Sequence, residues 1–254
     1  MLQFKLPTIY GTIPTEKNII YFSCDEHYYN EYGIALIKSI INQIDWANVH
    51  CHIIAKDNVD FLLEFPKTTY TYEYITEDFL NTIPFKDCGP IGKYNLTVTP
   101  EILYYSCARF MQIDKIFNKE QHVLQIDCDS LLYQPIPYEQ FLWVTSTPRA
   151  MRKPKSPDKI IASMISFGTG KVGQDFRKTL ADNLTESFSK NAYWYIDQEK
   201  LKEEFDKTDF EPIPYIWNSW NLKKRTAYFK TAKGNKKSNE DFINEINYWK
   251  NYQT

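Results

Sequence analysis

The stretch Val123–Leu132, VLQIDCDSLL, decides how the rest of the chain is read. Four residues of strand type run into Asp127-Cys128-Asp129, and Leu131 and Leu132 follow at once. Side chains alternate between faces along a strand, which predicts Asp127 and Asp129 on one face and Cys128 on the other. Two carboxylates on one face of an apolar strand repel each other and lose hydration, an unfavourable arrangement unless a cation sits between them. Oxygen-only donors suit Mg²⁺ or Mn²⁺, which complete their shells with water and substrate phosphates. For an isolated Asp-x-Asp there is also a structural reading, in which one carboxylate caps the next turn and the other is solvated. The flanking chain decides between the two.

Upstream, Asn18 to Ser23 (NIIYFS) is a short apolar run that predicts the first core strand. Tyr32 to Ile44 carries isoleucines at helical spacing, Val49 to Ala55 predicts a second buried strand, Val59 to Phe65 a helical turn, and Thr69 to Ile75 a third strand. Strands alternating with helices predict an α/β fold with a mainly parallel sheet covered on both faces. Ligands of such sheets bind beyond the carboxyl ends of the strands, where both Cys24–Tyr28 and the Asp pair fall. Pro84 to Asn95 reads as a loop, and Pro100 to Phe117 as one long helix containing Arg109. That arginine is either a surface residue beside Asp114 or a fork turned towards a bound anion.

Downstream, Pro148 to Lys159 (PRAMRKPKSPDK) is basic and proline-rich, which predicts an exposed loop. Ile160 to Phe167 predicts a strand, and Asp175 to Thr185 an amphipathic helix. Gly168 to Gly173 lacks the spacing and the terminal Lys-Ser/Thr of a phosphate loop, so that reading is rejected. Tyr193 to Gln198 opens a further helix with Asp197 in its first turn, where the helix dipole favours negative charge. Thr231 to Lys237 (TAKGNKK) surrounds a glycine with lysines. It reads either as a lysine-rich turn or as a clasp for a pyrophosphate.

The composition bounds the rest. The 254 residues suffice for one domain with a large core, here expected over 1–254 with a nucleotide-binding half at 1–130 and an acceptor and donor-sugar half at 131–254. A formal net charge of -2 argues against a general nucleic-acid binder. The five cysteines are widely spaced without a Cys-x-x-Cys pair, which fits reduced thiols. No run is long and apolar enough for a signal peptide or a transmembrane segment, so a cytoplasmic location is expected.

Taken in order, these landmarks resemble glycosyltransferase family 8, the retaining GT-A sugar transferases. Asp25-Glu26-His27-Tyr28 looks like the family's start, Cys107-Ala108-Arg109 like its Tyr-x-Arg helix, and Asp127-Cys128-Asp129 like its metal-binding pair. Asp197-Gln198 looks like its Asp-Gln dipeptide, and Gly234 to Lys237 like the Gly-x-x-Lys that grips the diphosphate. The resemblance implies a GT-A, Rossmann-like fold and a metal-dependent transfer of a hexose or related sugar from a UDP-sugar, with retention of configuration. The acceptor would be a hydroxyl of a glycan, a lipid-linked sugar or a small molecule. It also implies a role for each matched residue: Asp127 and Asp129 on Mn²⁺ or Mg²⁺, Asp25 and His27 on the nucleoside, and Arg109 on the donor or the metal carboxylates. Gly234 and Lys237 would hold the diphosphate, Asp197 the sugar hydroxyls, and Gln198 would lie near the anomeric carbon.

Three positions depart from the pattern. Thr231 stands where the family has a third metal ligand, a histidine, for which Asn235 is a neighbouring oxygen donor; Cys107 replaces a tyrosine; and Ile161-Ala162-Ser163-Met164 stands where a Phe-Asn-x-Gly is expected. Two other readings stay open: a non-catalytic nucleotide-sugar or carbohydrate-binding protein of the same fold, and a sugar-phosphate nucleotidyltransferase. The latter normally has a glycine-rich, basic signature after its first strand, which Ser23 to Tyr28 lacks.

Overall fold

In the computed structural model, which describes residues 4–86, 97–153, 156–208, 211–222 and 226–252 (without the side chains of 153, 156–158 and 235), the predicted apolar runs form a central sheet. Strand β1 is Tyr10–Gly11 and β2 is Asn18–Asp25. A helical stretch follows as α1 (Glu26–Tyr28), a π turn (Tyr29–Gly33) and α2 (Ile34–Ile41). Next come β3 (Asn48–Ala55), β4 (Thr68–Tyr74) and the short α3 (Glu77–Leu80). Helices α4 (Pro100–Met111) and α5 (Ile113–Ile116) lead into β5 (His122–Ile126) and β6 (Ser130–Leu132). The second half holds α6 (Tyr138–Thr145), β7 (Pro148–Lys153), β8 (Ser156–Phe167), α7 (Gly170–Lys190) and α8 (Ile196–Phe205). Strands β9 (Asn218–Ser219) and β10 (Phe229–Thr231) precede the last helix, α9 (Glu240–Asn251).

The seven-stranded sheet has the order β1-β4-β3-β2-β5-β8-β7, and β6-β10-β9 form a second, three-stranded sheet. The central strands β4, β3, β2 and β5 are parallel, while β1 and β8 run against their neighbours. The mixed, mainly parallel sheet expected from the sequence is therefore present.

Alternation along the strands sorts side chains to two apolar layers. Ile20, Phe22 and Cys24 of β2, with Leu124 and Ile126 of β5, join Leu36, Ile40, Phe141, Phe229 and Phe242 on one face. Ile19, Tyr21 and Val123 point the other way, onto Leu103, Cys107, Leu184 and Leu201. Each fully buried Leu, Ile or Phe contributes about 1.5–3 kcal/mol relative to exposure, so both layers hold the sheet edge that carries the site.

Several expectations need correction. The helix after β2 begins at Glu26 rather than Tyr32, because Asp25 caps it: its Oδ1 accepts from the Tyr28 N–H at 2.7 Å. Val59 to Phe65 is not helical. The Tyr29 hydroxyl accepts from the Leu63 N–H at 3.2 Å and the Tyr70 hydroxyl donates to the Leu63 carbonyl at 2.7 Å, which satisfies the backbone without a helix. The helix expected over Pro100 to Phe117 breaks at Gln112, the cap shared by α4 and α5. Within Pro148 to Lys159, expected as an exposed loop, Pro148–Lys153 is strand β7 and the part from Ser156 belongs to strand β8, the two pairing antiparallel, while residues 154–155 lie outside the described residues. Arg149 is accommodated in β7 by Glu211 at 3.2 Å and by the Trp143 ring at 4.2 Å. Asp127 and Asp129 do not sit within one strand, since β5 ends at Ile126 and β6 begins at Ser130.

Most of the loop expected over Pro84 to Asn95 lies outside the described residues, as does Cys88. Cys24, Cys51, Cys107 and Cys128 are buried free thiols. Among the described residues no helix is long and apolar enough to cross a membrane.

Candidate functional site

At the carboxyl edge of the sheet the chain passes from β5 in the large sheet to β6 in the small one. The intervening turn is fixed by backbone bonds, from Asp127 N–H to the Ser163 carbonyl at 3.0 Å and from Ala232 N–H to the Asp129 carbonyl at 3.1 Å. Both carboxylates are thereby presented to one cleft.

Arg109 of α4 reaches this cleft from beneath the sheet edge. Its Nη1 lies 2.5 Å from Asp127 Oδ1 and its Nη2 lies 3.6 Å from Asp197 Oδ2, so one guanidinium joins two acids far apart in sequence. Its Nε donates to the Ser106 carbonyl at 3.2 Å, and the guanidinium lies 4.7 Å from the Phe110 ring centre, which fixes the fork's plane. Arg109 is thus turned to two carboxylates of the chain itself, and its side chain is 14% exposed. Asp197 is buried in the first turn of α8, next to Gln198.

The lysine-rich segment after β10 closes the cleft from the other side. Gly234 has φ of +59°, a left-handed conformation that suits glycine and turns the chain into a short 3-10 segment, Gly234–Ser238. That turn directs Lys237 Nζ to Asp129 Oδ2 at 2.8 Å, while Lys233 Nζ lies 3.6 Å from Asp127 Oδ2. Lys237 also donates to the Tyr28 hydroxyl at 2.7 Å and lies 4.3 Å from the Tyr28 ring centre and 5.3 Å from that of Tyr32. The π turn sets Tyr28 and Tyr32 on the same side, where both meet the ammonium.

The charges are closely matched. Burial alone would raise the Asp127 carboxyl, but Lys233, Arg109 and Lys237 outweigh it and hold the group below its ordinary range. Burial, and next the Asp127 charge, push Asp129 up despite Lys237. Burial likewise raises Asp197 against the pull of Arg109. Lys237 is held above the ordinary lysine range, because Asp129 and the Tyr28 oxygen overcome the desolvation that would lower it. Three acids (Asp127, Asp129 and Asp197) thus face three cations (Arg109, Lys233 and Lys237).

The other expected residues are placed less centrally. Asp25 is at the carboxyl end of β2 with one oxygen spent on its helix cap. The His27 side chain is 75% exposed and faces Glu31 at 3.0 Å on its own helix, not the acid cluster. Thr231 is fully buried: its Oγ1 meets Ser130 Oγ at 2.7 Å and accepts from Asn218 Nδ2 at 2.9 Å. It stands in the small sheet's own polar network rather than free for an ion. The Asn235 side chain lies outside the described residues. Ser163, in the segment matched to the expected Phe-Asn-x-Gly, is buried beneath Asp127 with its hydroxyl unpaired.

Among the described residues no group of three or more His, Cys, Asp and Glu side chains is arranged to hold a metal. What is present is a pair of neighbouring carboxylates, Asp127 and Asp129, among Arg109, Lys233 and Lys237. Such an oxygen-only donor pair fits a hard divalent cation that takes the rest of its shell from phosphate oxygens and water.

The sequence reading did not single out Trp220 and Tyr195 as neighbours of this cleft. Trp220 carries Lys233 at 4.8 Å from its ring centre and accepts through its carbonyl from Lys236 Nζ at 2.5 Å. The signal available was aromatic density in Tyr193-Trp194-Tyr195 and Tyr215 to Trp220, beside prolines that fix the backbone.

No protein-family model matches the sequence, and no curated protein matches it. Among solved structures, the apo structure of WbbM, a bifunctional glycosyltransferase, is similar with a TM-score of 0.58 over 92% of this chain at 15% identity. The fold is of the GT-A, Rossmann-like type. The chain covers 50% of the WbbM chain, so it spans half the length of that neighbour. An identity this low carries the fold alone, and the chemistry must come from the side chains above.

Proposed function

We propose that the protein is a glycosyltransferase that moves a hexose or related sugar from a UDP-sugar to a hydroxyl acceptor, with retention of configuration. The observation that carries this reading is the convergence of Lys237 on Asp129 and of Lys233 on Asp127 across the sheet edge. A lysine-bearing segment lying over paired acids is the arrangement a diphosphate needs, with a cation beneath it and ammonium groups above.

In this reading Asp127 and Asp129 hold Mn²⁺ or Mg²⁺, which when bound supplies Lewis acidity towards the diphosphate. Lys237, Lys233 and the Gly234 backbone bind the same diphosphate from the opposite side and exclude water from the bond that breaks. Arg109 is a positioning residue that orients Asp127 and Asp197. Asp197 holds sugar hydroxyls, and Gln198 lies near the anomeric carbon. Asp25 and His27 lie on the nucleoside side. The acceptor hydroxyl oxygen forms a bond to the anomeric carbon as the bond from that carbon to the diphosphate oxygen breaks. The bonding pair leaves with the nucleoside diphosphate, and the hydroxyl proton passes to that leaving group.

A binding-only protein of the same fold is the second reading, favoured by the burial of Thr231 where a third ligand would stand. Titration calorimetry with UDP, with and without Mn²⁺, and a Mn²⁺-dependent UDP-sugar hydrolysis panel separate the two. The transferase reading expects metal-dependent UDP affinity and slow donor hydrolysis that Asp127→Asn removes. Full hydrolysis by Asp127→Asn, or in excess EDTA, would falsify it.

A further inference from the structure

Beside the paired acids the surface opens into a cleft of ≈ 550 Å³ whose walls include Lys159, Tyr195, Gln198, Lys202, Trp220 and Lys233. Its position follows from the sheet order. Strand β5, which ends at the acids, lies between β2, which ends at Asp25, and β8, which supplies Lys159. The cleft therefore lies across the acids from Asp25, with Lys233 shared between the two spaces.

Tyr195 is the unusual feature of this cleft. Its φ of 75° and ψ of 5° are left-handed, a conformation a bulky side chain adopts only under strain. Its side chain gives the fold little in return: the residue is 52% exposed, and its ring contacts Trp194 with centroids 5.4 Å apart. What the strain does achieve is to hold an aromatic face in the lining of the cleft, at the N-cap of α8, two residues before Asp197 and three before Gln198. Trp220 offers a second ring in the same lining. Exposed aromatic faces at a cleft suit the apolar faces of sugar rings.

The charge of the lining adds a second restriction. Three lysines face the cleft against one acid, Glu199, which is itself engaged by the Tyr193 hydroxyl. Lys233 is shared with Asp127 and Lys202 with Asp206, whereas Lys159 is exposed on β8. The lining thus offers lysine ammonium groups on β8 and α8, at Lys159 and Lys202.

We propose that this cleft is the acceptor subsite and that it takes a sugar ring bearing a negative charge, with the ring on Tyr195 and Trp220 and the anion at Lys159 and Lys202. The assignment rests on the transferase reading and narrows it, from any hydroxyl acceptor to an anionic sugar.

The test is titration of the full chain, saturated with UDP and Mn²⁺, with glucose 6-phosphate, glucuronate, methyl glucoside and inorganic phosphate, at low and high salt. Both anionic sugars should bind about ten-fold more tightly than methyl glucoside, with an advantage that shrinks as salt screens the lysines. Tyr195→Gly should weaken them about five-fold, with a Tm equal to or above that of the parent because the backbone strain is relieved. Tyr195→Asn, which tolerates the same backbone, should weaken them alike, and Lys159→Gln with Lys202→Gln should abolish the salt dependence. Equal affinity for methyl glucoside would overturn the inference. So would inorganic phosphate binding as tightly as glucose 6-phosphate, or anionic-sugar affinity unchanged in both Tyr195 variants. Normal UDP binding with no sugar binding sinks this inference alone, whereas absent UDP binding sinks the transferase reading and this one with it.

Discussion

Lys237 Nζ lies 2.8 Å from Asp129 Oδ2 and 2.7 Å from the Tyr28 hydroxyl, so one ammonium ties the segment after β10 both to the turn after β5 and to α1. Neither partner is near Lys237 in sequence. The contact exists because β10 pairs with β6 antiparallel, Thr231 opposite Ser130, which brings the lysine segment alongside the aspartate turn.

Lys237→Met keeps the stem of the side chain and removes the charge. The buried Asp129 then loses its cation, and a loss of about 1–3 kcal/mol in chemical denaturation is expected. UDP affinity by calorimetry should fall about ten-fold or more, and Lys237→Arg should recover part of it. Undiminished UDP binding in Lys237→Met would remove the lysine from the diphosphate site.

Thr231→His asks whether a third metal ligand can simply be restored. Thr231 is fully buried and bonded to Ser130 and Asn218, so the larger ring overpacks the small sheet and breaks that network. A destabilisation of about 1–3 kcal/mol is expected, with no gain in Mn²⁺ affinity. A protein of normal stability with tighter Mn²⁺ binding would refute this account of Thr231.

Acid sensitivity should arise partly from His50. It is buried between the hydroxyls of Thr69 at 2.8 Å and Thr71 at 2.9 Å, and desolvation, followed by the neighbouring His52, holds its pKa well below the ordinary histidine value. His122 is lowered too, through burial and then Lys17. The unfolded chain binds protons at these positions below about pH 6.5 more readily than the native state does. Stability is therefore full above that pH and declines as the pH falls below it, by at most about 1.4 kcal/mol per unit for each histidine. Denaturation midpoints between pH 7 and 5 should show this slope, and His50→Gln should flatten it. A variant with the parent's slope would exclude His50 as its source.

Gly173→Ala tests why glycines cluster at the start of α7. A Cβ at Gly173 would come within 2.3 Å of the Gly168 carbonyl carbon and oxygen, backbone atoms with no room to give. A loss of about 1–3 kcal/mol is expected in thermal or chemical unfolding. A silent substitution would mean that the helix start tolerates a shift of its first turn.

The strands were readable because burial on both faces leaves a run such as NIIYFS or VHCHIIA with little alternative. The order of acids and lysines anticipated their clustering for a related reason: the carboxyl edge of a parallel sheet gathers the residues that follow each strand. What failed depended on partners elsewhere in the chain. Val59 to Phe65 has helical spacing, but hydroxyls from Tyr29 and Tyr70 take its backbone bonds. Pro148 to Lys159 has the composition of a loop, yet Arg149 is neutralised by Glu211 and covered by Trp143. Two-residue alternation put Asp127 and Asp129 on one face for the wrong reason. They share a cleft because a turn between sheets presents them there, and His27, at the right place in sequence, is drawn to Glu31 instead.

That turn also fixes how the acids respond to a ligand. Anchored at one end by the ladder of β5 with β8 and at the other by that of β6 with β10, it has little slack of its own. If the acids hold an ion as proposed, any sliding of one sheet over the other would be felt first as a change in their bite.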